Sequence, residues 1–156
     1  MGTRHHQKVI SKSGELKVSQ YGQWDGYPSG QGIEILTFLR DNNITKYSEE
    51  IDKIRLITDS EINEVEEDKN WPDNYPHLSR DCGSRIHGLI LNGEVPSVGF
   101  IDDAEANQWC AAFYVIDLQK MVFTSFYGDE SITYKLDGLP TEDEYLKSMG
   151  VEVETK

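Results

Sequence analysis

One stretch near the start of the chain, residues 22–32 (Gly-Gln-Trp-Asp-Gly-Tyr-Pro-Ser-Gly-Gln-Gly), combines side chains that can recognise a small molecule. The rings of Trp24 and Tyr27 offer flat faces on which a base or another ring can stack. Asp25 can accept hydrogen bonds from a hydroxyl or an amine. The glycines permit close approach of the backbone, and the stretch leads into a predicted helix whose unpaired N–H groups favour an anion. The pattern therefore predicts a site for an anionic, nucleotide-like molecule.

The glycine spacing in residues 22–32 matches no standard phosphate-binding motif. A P-loop needs GxxxxGK[ST] and a dinucleotide fingerprint needs GxGxxG, and neither is present. A rigid turn whose aromatic rings close the edge of the core is an equally open interpretation. The cysteine and histidine spacings indicate no metal site, and no motif indicates a cofactor.

Arg4 and His5 form a second candidate group because they directly precede the first predicted strand. If that strand pairs with the next one as a hairpin, residues 4–5 lie close to residues 22–23. Arg4 can then grip a phosphate or carboxylate bidentately, or it can pair with Asp25. His5 can carry a proton or act as a structural hydrogen-bond donor.

Arg80 and Ser84 form a third candidate group at the start of a helix predicted over residues 80–92. One helical turn separates them, so both can reach the same ligand. A helix cap with surface charges is the alternative. The complete set of candidate ligand-binding residues is Arg4, His5, Gln23, Trp24, Asp25, Tyr27, Ser29, Gln31, Arg80 and Ser84.

The elements that must position these residues follow from periodicity and turn signals. Ser29, Ser48 and Ser79 are predicted helix caps, and Thr58 with Glu61 forms a capping-box pattern. The predicted elements are a hairpin over 7–22, a helix after Ser29 that ends near 41–43, helical segments over 48–68 and 80–92, strands over 109–118, 121–127 and 132–136, and a last helix between Thr141 and Gly150.

Strands at both ends of the chain with helices between them predict an α+β fold. We expect an antiparallel sheet of about five strands with helices packed mainly on one face. Residues 1–150 form one predicted domain, and residues 151–156 a flexible tail.

Composition narrows the classes of partner. The chain has 156 residues, a net charge of −13 and 37% hydrophobic residues, which suits an ordered domain. Duplex DNA and anionic membranes attract basic faces, so neither is an expected partner. No apolar run or leader is evident, so we expect a cytoplasmic protein, and a homo-oligomer remains open. Residues 1–40 hold five basic and three acidic groups, against ten basic and 25 acidic groups in residues 41–156.

Two of these stretches carry a resemblance to a known family. Residues 2–5 (Gly-Thr-Arg-His) and 21–32 resemble a family of small proteins from bacteriophages, bacteria and some fungi. Its members open with Gly/Ser-Thr-Arg and carry Trp-Asp-Gly-Tyr-Pro after the first hairpin. Residues 78–81 (Leu-Ser-Arg-Asp) and 114–118 (Tyr-Val-Ile-Asp-Leu) are also similar. The resemblance brings no activity with it, but it implies one composite site and is compatible with a phage counter-defence role.

Three functions are therefore expected, in this order. The first is a protein that binds an anionic, nucleotide-like molecule, such as a phage protein that sequesters a host immune signal. The second is a hydrolase that acts on a nucleotide or amide with His5 and Asp25 as an acid–base pair. The third is an acidic protein that imitates nucleic acid and blocks a host protein.

Overall fold

The computed structural model describes residues 3–151. The predicted tail, apart from Val151, lies outside the described residues. The strands are β1 (His5–Ile10), β2 (Leu16–Gly22), β3 (Arg55–Leu56), β4 (Ser97–Val98), β5 (Ala112–Asp117), β6 (Val122–Tyr127) and β7 (Glu130–Lys135). The helices are α1 (Ile33–Asp41), α2 (Ile44–Ile51), α3 (Asp59–Glu66), α4 (Trp71–Asn74), α5 (Arg85–Leu91), α6 (Asp103–Trp109) and α7 (Glu142–Ser148).

The main sheet confirms the α+β prediction. Across residues 3–151 it has five strands in the order β2-β1-β5-β6-β7. Neighbouring strands are antiparallel except β1 and β5, which are parallel. The expected sheet of about five mostly antiparallel strands is therefore present, and the parallel β1–β5 pair makes it mixed. A parallel pair needs a long crossover connection, and the helical middle of the chain supplies it.

The predicted first hairpin is confirmed as β1 and β2. Val9 lies opposite Val18 in the register, and both are fully buried. Gly14 closes the turn with φ of +90°, a backbone conformation that glycine adopts without steric cost. The alternation of buried and exposed positions therefore places one face of the hairpin in the core.

Helices α2, α5 and α7 pack on the same face of the sheet. His87 of α5 and Tyr145 of α7 are hydrogen-bonded to Gln7 of β1 and Ser125 of β6 on that face, and Tyr47 of α2 donates to His87. The opposite face is contacted by α6, where Lys8 of β1 and Asp103 form an ion pair at 3.1 Å. The prediction that helices lie mainly on one face agrees with this arrangement.

Three predicted helix starts are wrong, each for a local reason. Ser29 lies inside a π-helical turn, Pro28–Gly32, that runs directly into α1. Asn43, not Ser48, caps α2, because its side chain accepts the Lys46 N–H. Ser79 Oγ instead accepts the Asp81 N–H, and Gly83 has φ of +55°, so α5 begins only at Arg85.

The capping predictions at Thr58 and Thr141 are confirmed, since each side chain accepts a backbone N–H three residues later. Trp109 ends α6 instead of opening a strand. In the part of the chain described here, no helix is long and apolar enough to cross a membrane.

Candidate functional site

The end of the first hairpin brings the opening residues against the glycine-rich stretch. His5 pairs with Gly22 in the sheet register, and the Gly26 N–H donates to the carbonyl of Thr3 at 2.9 Å. The imidazole of His5 covers Gly22 so closely that a Cβ there would lie 2.0 Å from His5 Nε2. Glycine at position 22 therefore allows this contact.

Residues 22–32 form a compact turn held by internal bonds. Asp25 adopts φ of +55°, which aspartate tolerates better than most side chains. Its carbonyl accepts the Gln31 N–H at 2.8 Å, and its carboxylate accepts the Tyr27 hydroxyl at 3.0 Å. The Gly30 N–H donates to Tyr27. Several N–H groups that the sequence offered to an anion are thus used within the turn.

Two further bonds tie this turn to residues 80–81. The Gln23 N–H donates to the carbonyl of Arg80 at 3.0 Å, and the Trp24 indole N–H donates to Asp81 Oδ1 at 2.5 Å. The indole of Trp24 remains 45% exposed. The first and third candidate groups are therefore neighbours.

A chain of buried polar side chains runs through the core beneath the turn. His87 Nε2 lies 2.6 Å from Gln7 Oε1, which can only accept, so this nitrogen of His87 carries the proton. His87 Nδ1 then accepts the hydroxyl of Tyr47 at 2.7 Å. All three side chains are at least 98% buried. The bonds therefore have one direction of donation, from Tyr47 through His87 to Gln7.

The chain of bonds continues from Gln7 toward the turn. Gln7 Nε2 donates to Ser84 Oγ at 2.9 Å and to His5 Nδ1 at 3.3 Å. The hydroxyl and backbone N–H of Ser84 donate to Gln31 Oε1 at 2.6 and 2.8 Å. Gln31 Nε2 in turn donates to the carbonyl of Trp24 at 3.3 Å. We call Tyr47, His87, Gln7, His5, Ser84 and Gln31 the polar chain.

Burial keeps both histidines of the polar chain neutral. Loss of solvent lowers the pKa of His87 from 6.5 to about 3. It lowers the pKa of His5 to about 4, and the charge of Asp25 opposes this shift only weakly. With Nδ1 accepting, His5 carries its proton on Nε2, and this buried N–H has no partner among residues 3–151.

The structure thus separates the candidate residues into two groups. His5, Gln31 and Ser84 are buried members of the polar chain, and no hydrogen bond joins His5 to Asp25 within the described residues. Trp24, Asp25, Tyr27, Ser29 and Arg80 are exposed, and Arg4 and Gln23 are half-buried. Arg4 lies near Cys110, where its charge opposes the effect of burial, which raises the thiol pKa to about 11.

A cavity of about 390 Å³ lies beside Arg80, at the outer edge of β2. Its walls are mostly apolar and include three large aromatic side chains. They consist of Gln20, Tyr21, Ile57, Ile62, Val65, Glu66, Trp71, Pro72, Leu78, Ser79, Arg80, Asp81, Gly99, Phe100 and Ile101. We call this space the edge cavity.

Residues 99–101 form one wall of the edge cavity because they pair with β2. Ser19 bridges to Phe100 in parallel, and the Ile101 N–H donates to the carbonyl of Ser19 at 3.0 Å. The hydroxyl of Ser19 donates back to the Ile101 carbonyl at 2.5 Å. These bonds hold the 48% exposed ring of Phe100 at the cavity.

Helix α3 and residues 71–72 form the opposite wall. The Thr58–Glu61 capping box fixes the start of α3, and Arg55 forms an ion pair with Glu61. Ile62 and Val65 face the cavity and are only half-buried. Within the described helix α3, no residue is fully buried. The apolar side chains of this wall therefore border the cavity and are not part of the buried core.

Sequence reasoning missed most of the residues that line the edge cavity. It identified Arg80, but not Tyr21, Trp71 or Phe100. Their types are those of ordinary core residues. The available signal was the Trp71-Pro72 turn that follows the acidic helical segment.

No protein-family model, curated protein or solved structure matches this chain. Within residues 3–151, no group of three or more histidine, cysteine or acidic side chains is placed to hold a metal ion.

Proposed function

We propose that this protein binds a small molecule with a flat ring and a negatively charged group, of which a nucleotide is the model, in the edge cavity. The single observation that supports this most is the cavity itself, with Tyr21, Trp71 and Phe100 in its walls and Arg80 among its polar lining residues. Small-molecule sites are typically apolar clefts of about 300–1,000 Å³ with a few polar groups. The edge cavity has this size and composition.

The aromatic side chains supply the affinity in this proposal. Stacking of a base on an aromatic side chain contributes about 1–3 kcal/mol. Ile57, Ile62 and Ile101 provide apolar contacts around the same space. Ring burial between these groups would remove apolar surface from water, which favours binding in proportion to the buried area.

Arg80 supplies the group that meets the anion. Its guanidinium makes no hydrogen bond or ion pair with any other residue in the described range 3–151, and it is exposed. An arginine fork matches the geometry of a phosphate or carboxylate. The carbonyl of Arg80 accepts the Gln23 N–H, so the glycine-rich turn positions its backbone.

Binding without chemical conversion is the better supported form of this function. A hydrolase based on His5 and Asp25 needs both groups at the substrate, yet His5 is 1% exposed and Asp25 accepts the Tyr27 hydroxyl. A protein that only binds its ligand lowers the free concentration of that ligand. This matches the sequestering role expected from the sequence.

The test is calorimetric titration with AMP as the probe, on the parent chain and on two tryptophan variants. Trp71→Ala removes a ring from the edge cavity and should weaken binding about tenfold or more. Trp109→Ala is the matched control, because Trp109 is 52% exposed and does not line the edge cavity. Equal weakening in both variants, or no heat of binding in the parent chain, would contradict the proposal.

A second measurement identifies the natural ligand. Protein purified from cells is denatured, and the released small molecules are analysed by mass spectrometry. We expect an aromatic, anionic compound at a stoichiometric amount from the parent chain and a reduced amount from Trp71→Ala. Release of an aliphatic or cationic compound at a stoichiometric amount would overturn the proposed ligand class.

A further inference from the structure

We infer that the edge cavity selects ligands with a single negative charge and rejects polyphosphates, an inference that depends on the proposed function. Arg80 is the one basic side chain among the described residues that line the cavity. Glu66 and Asp81 line the same cavity and are both acidic. One negative group can therefore be matched by Arg80, whereas each further group adds repulsion.

The position of Asp81 makes this repulsion a fixed feature. Trp24 donates its indole N–H to Asp81 Oδ1 at 2.5 Å, which stabilises the carboxylate in place. Arg80 is the adjacent residue, and its carbonyl is held by the Gln23 N–H. The glycine-rich turn thus holds the backbone of Arg80 and the carboxylate of Asp81 beside each other at the cavity.

Arg85, the next arginine along the chain, does not change this balance. Arg85 Nε lies 3.3 Å from the Cys82 carbonyl, and its Nη2 lies 3.5 Å from the Asp81 carbonyl. Both contacts direct its guanidinium to the backbone, and Arg85 does not line the edge cavity. The surrounding chain has a net charge of −13, so the wider field also opposes a multiply charged ligand.

Glu66 and Asp81 also favour a ligand whose ring system is uncharged or carries hydrogen-bond donors. Amine or hydroxyl groups on the ring system can donate to Glu66 or Asp81, whereas additional phosphates cannot. An aromatic compound with one phosphodiester or one carboxylate fits this combination. A nucleoside triphosphate carries the same ring but places several charges near two carboxylates.

The experiment compares four probes that share one base: adenosine, cyclic AMP, AMP and ATP, titrated without magnesium at low salt. We expect cyclic AMP to bind most tightly and ATP about tenfold or more weakly than cyclic AMP. Arg80→Gln should reduce the factor by which cyclic AMP binds more tightly than adenosine. Glu66→Gln should bring the dissociation constants of cyclic AMP and ATP closer together.

Failure of this inference is distinguishable from failure of the proposed function. If ATP binds as tightly as cyclic AMP, or if Glu66→Gln leaves the ratio of their dissociation constants unchanged, the inferred charge selection is wrong. The proposed binding site is not contradicted by either result. If none of the four probes binds, both are contradicted.

Discussion

The polar chain and the edge cavity distribute polarity in opposite ways. In the polar chain, side chains such as Gln7 and His87 are almost fully buried and bonded to one another. In the edge cavity, Phe100 and Val65 remain partly exposed. Buried polar groups are tolerated when each donor meets an acceptor, whereas exposed apolar groups that line a cavity mark a place for another molecule.

Polar and apolar residues have different roles in the two regions. The polar residues that resemble a binding motif, including Ser84 and Gln31, stabilise the fold and orient the glycine-rich turn. Most of the residues that line the edge cavity are apolar, and their chemistry alone does not distinguish them from core residues. The turn connects the two regions, because Trp24 bonds to the polar chain through its carbonyl and to Asp81 through its indole.

The largest effect should come from protonating the polar chain. His5 and His87 have pKa values lowered from 6.5 to about 4 and about 3. The unfolded chain binds protons near pH 6.5 and the folded chain does not, so the stability present above pH 6.5 is lost as the pH falls. Between pH 7 and pH 5 we expect the free energy of unfolding to decrease by about 2 kcal/mol per histidine, as measured by urea denaturation.

Two variants separate these histidines from the other groups that titrate in this range. His5→Gln and His87→Gln should each make the decrease between pH 7 and pH 5 smaller by its own share. His6, whose pKa burial lowers to about 4, contributes equally in all three proteins. An unchanged pH dependence in both variants would show that the histidines are not buried as neutral rings.

The next largest effect should follow from Gln7→Ala, which removes the centre of the polar chain. His87 Nε2–H loses its acceptor, and Ser84 and His5 lose a donor. Because these groups stay buried, we expect the free energy of unfolding to decrease by about 3 kcal/mol. Gln23→Ala at the half-buried turn is the control, with an expected loss under about 1 kcal/mol. Equal losses would refute the structural role of Gln7.

A smaller effect compares the loss of one methyl group in the hydrophobic core with the loss of one at the edge cavity. Ile86 is fully buried in the core, so Ile86→Val should lower the free energy of unfolding by about 1 kcal/mol. Ile62 is half-buried at the edge cavity, and Ile62→Val should cost less than about 0.5 kcal/mol. A larger cost at Ile62 would mean that the cavity wall is part of the core.

The smallest effect on stability is expected for Trp24→Phe, which keeps an aromatic ring but removes the indole N–H that Asp81 accepts. Since this pair is exposed, the free energy of unfolding should change by less than about 0.5 kcal/mol. The dissociation constants of cyclic AMP and ATP should nevertheless become more similar, because the Asp81 carboxylate is no longer held at the cavity. A strong loss of stability with unchanged selectivity would reverse the two roles assigned to Trp24.

Local features of the fold were accessible from the sequence, and distant ones were not. The first hairpin and the Thr58 and Thr141 caps depend on residues within a few positions of one another, and all are confirmed. The parallel pairing of β1 with β5 depends on the packed helices between them. The start of α5 was misplaced because the left-handed backbone at Gly83 is not encoded by any cap signal.

The candidate site was predictable only in its polar part. The expected pairing of residues 4–5 with residues 22–23 is confirmed, because His5 lies opposite Gly22 in the register. Whether His5 would face a ligand or the core depended on Gln7 and His87, which lie on different elements. The edge cavity forms where α3 spans the edge of β2, and no periodicity of a single segment specifies that space.

The parallel pairing of β1 with β5 has a consequence for synthesis. β1 and β2 are synthesised before the helical middle of the chain, and β5, the partner of β1 on its other side, is synthesised after it. Contacts between such distant segments are slow to form, because the loop they close carries a large entropic cost. The nascent hairpin therefore exposes one backbone edge of β1 until β5 has been synthesised, and an unpaired strand edge of this kind can pair with another chain.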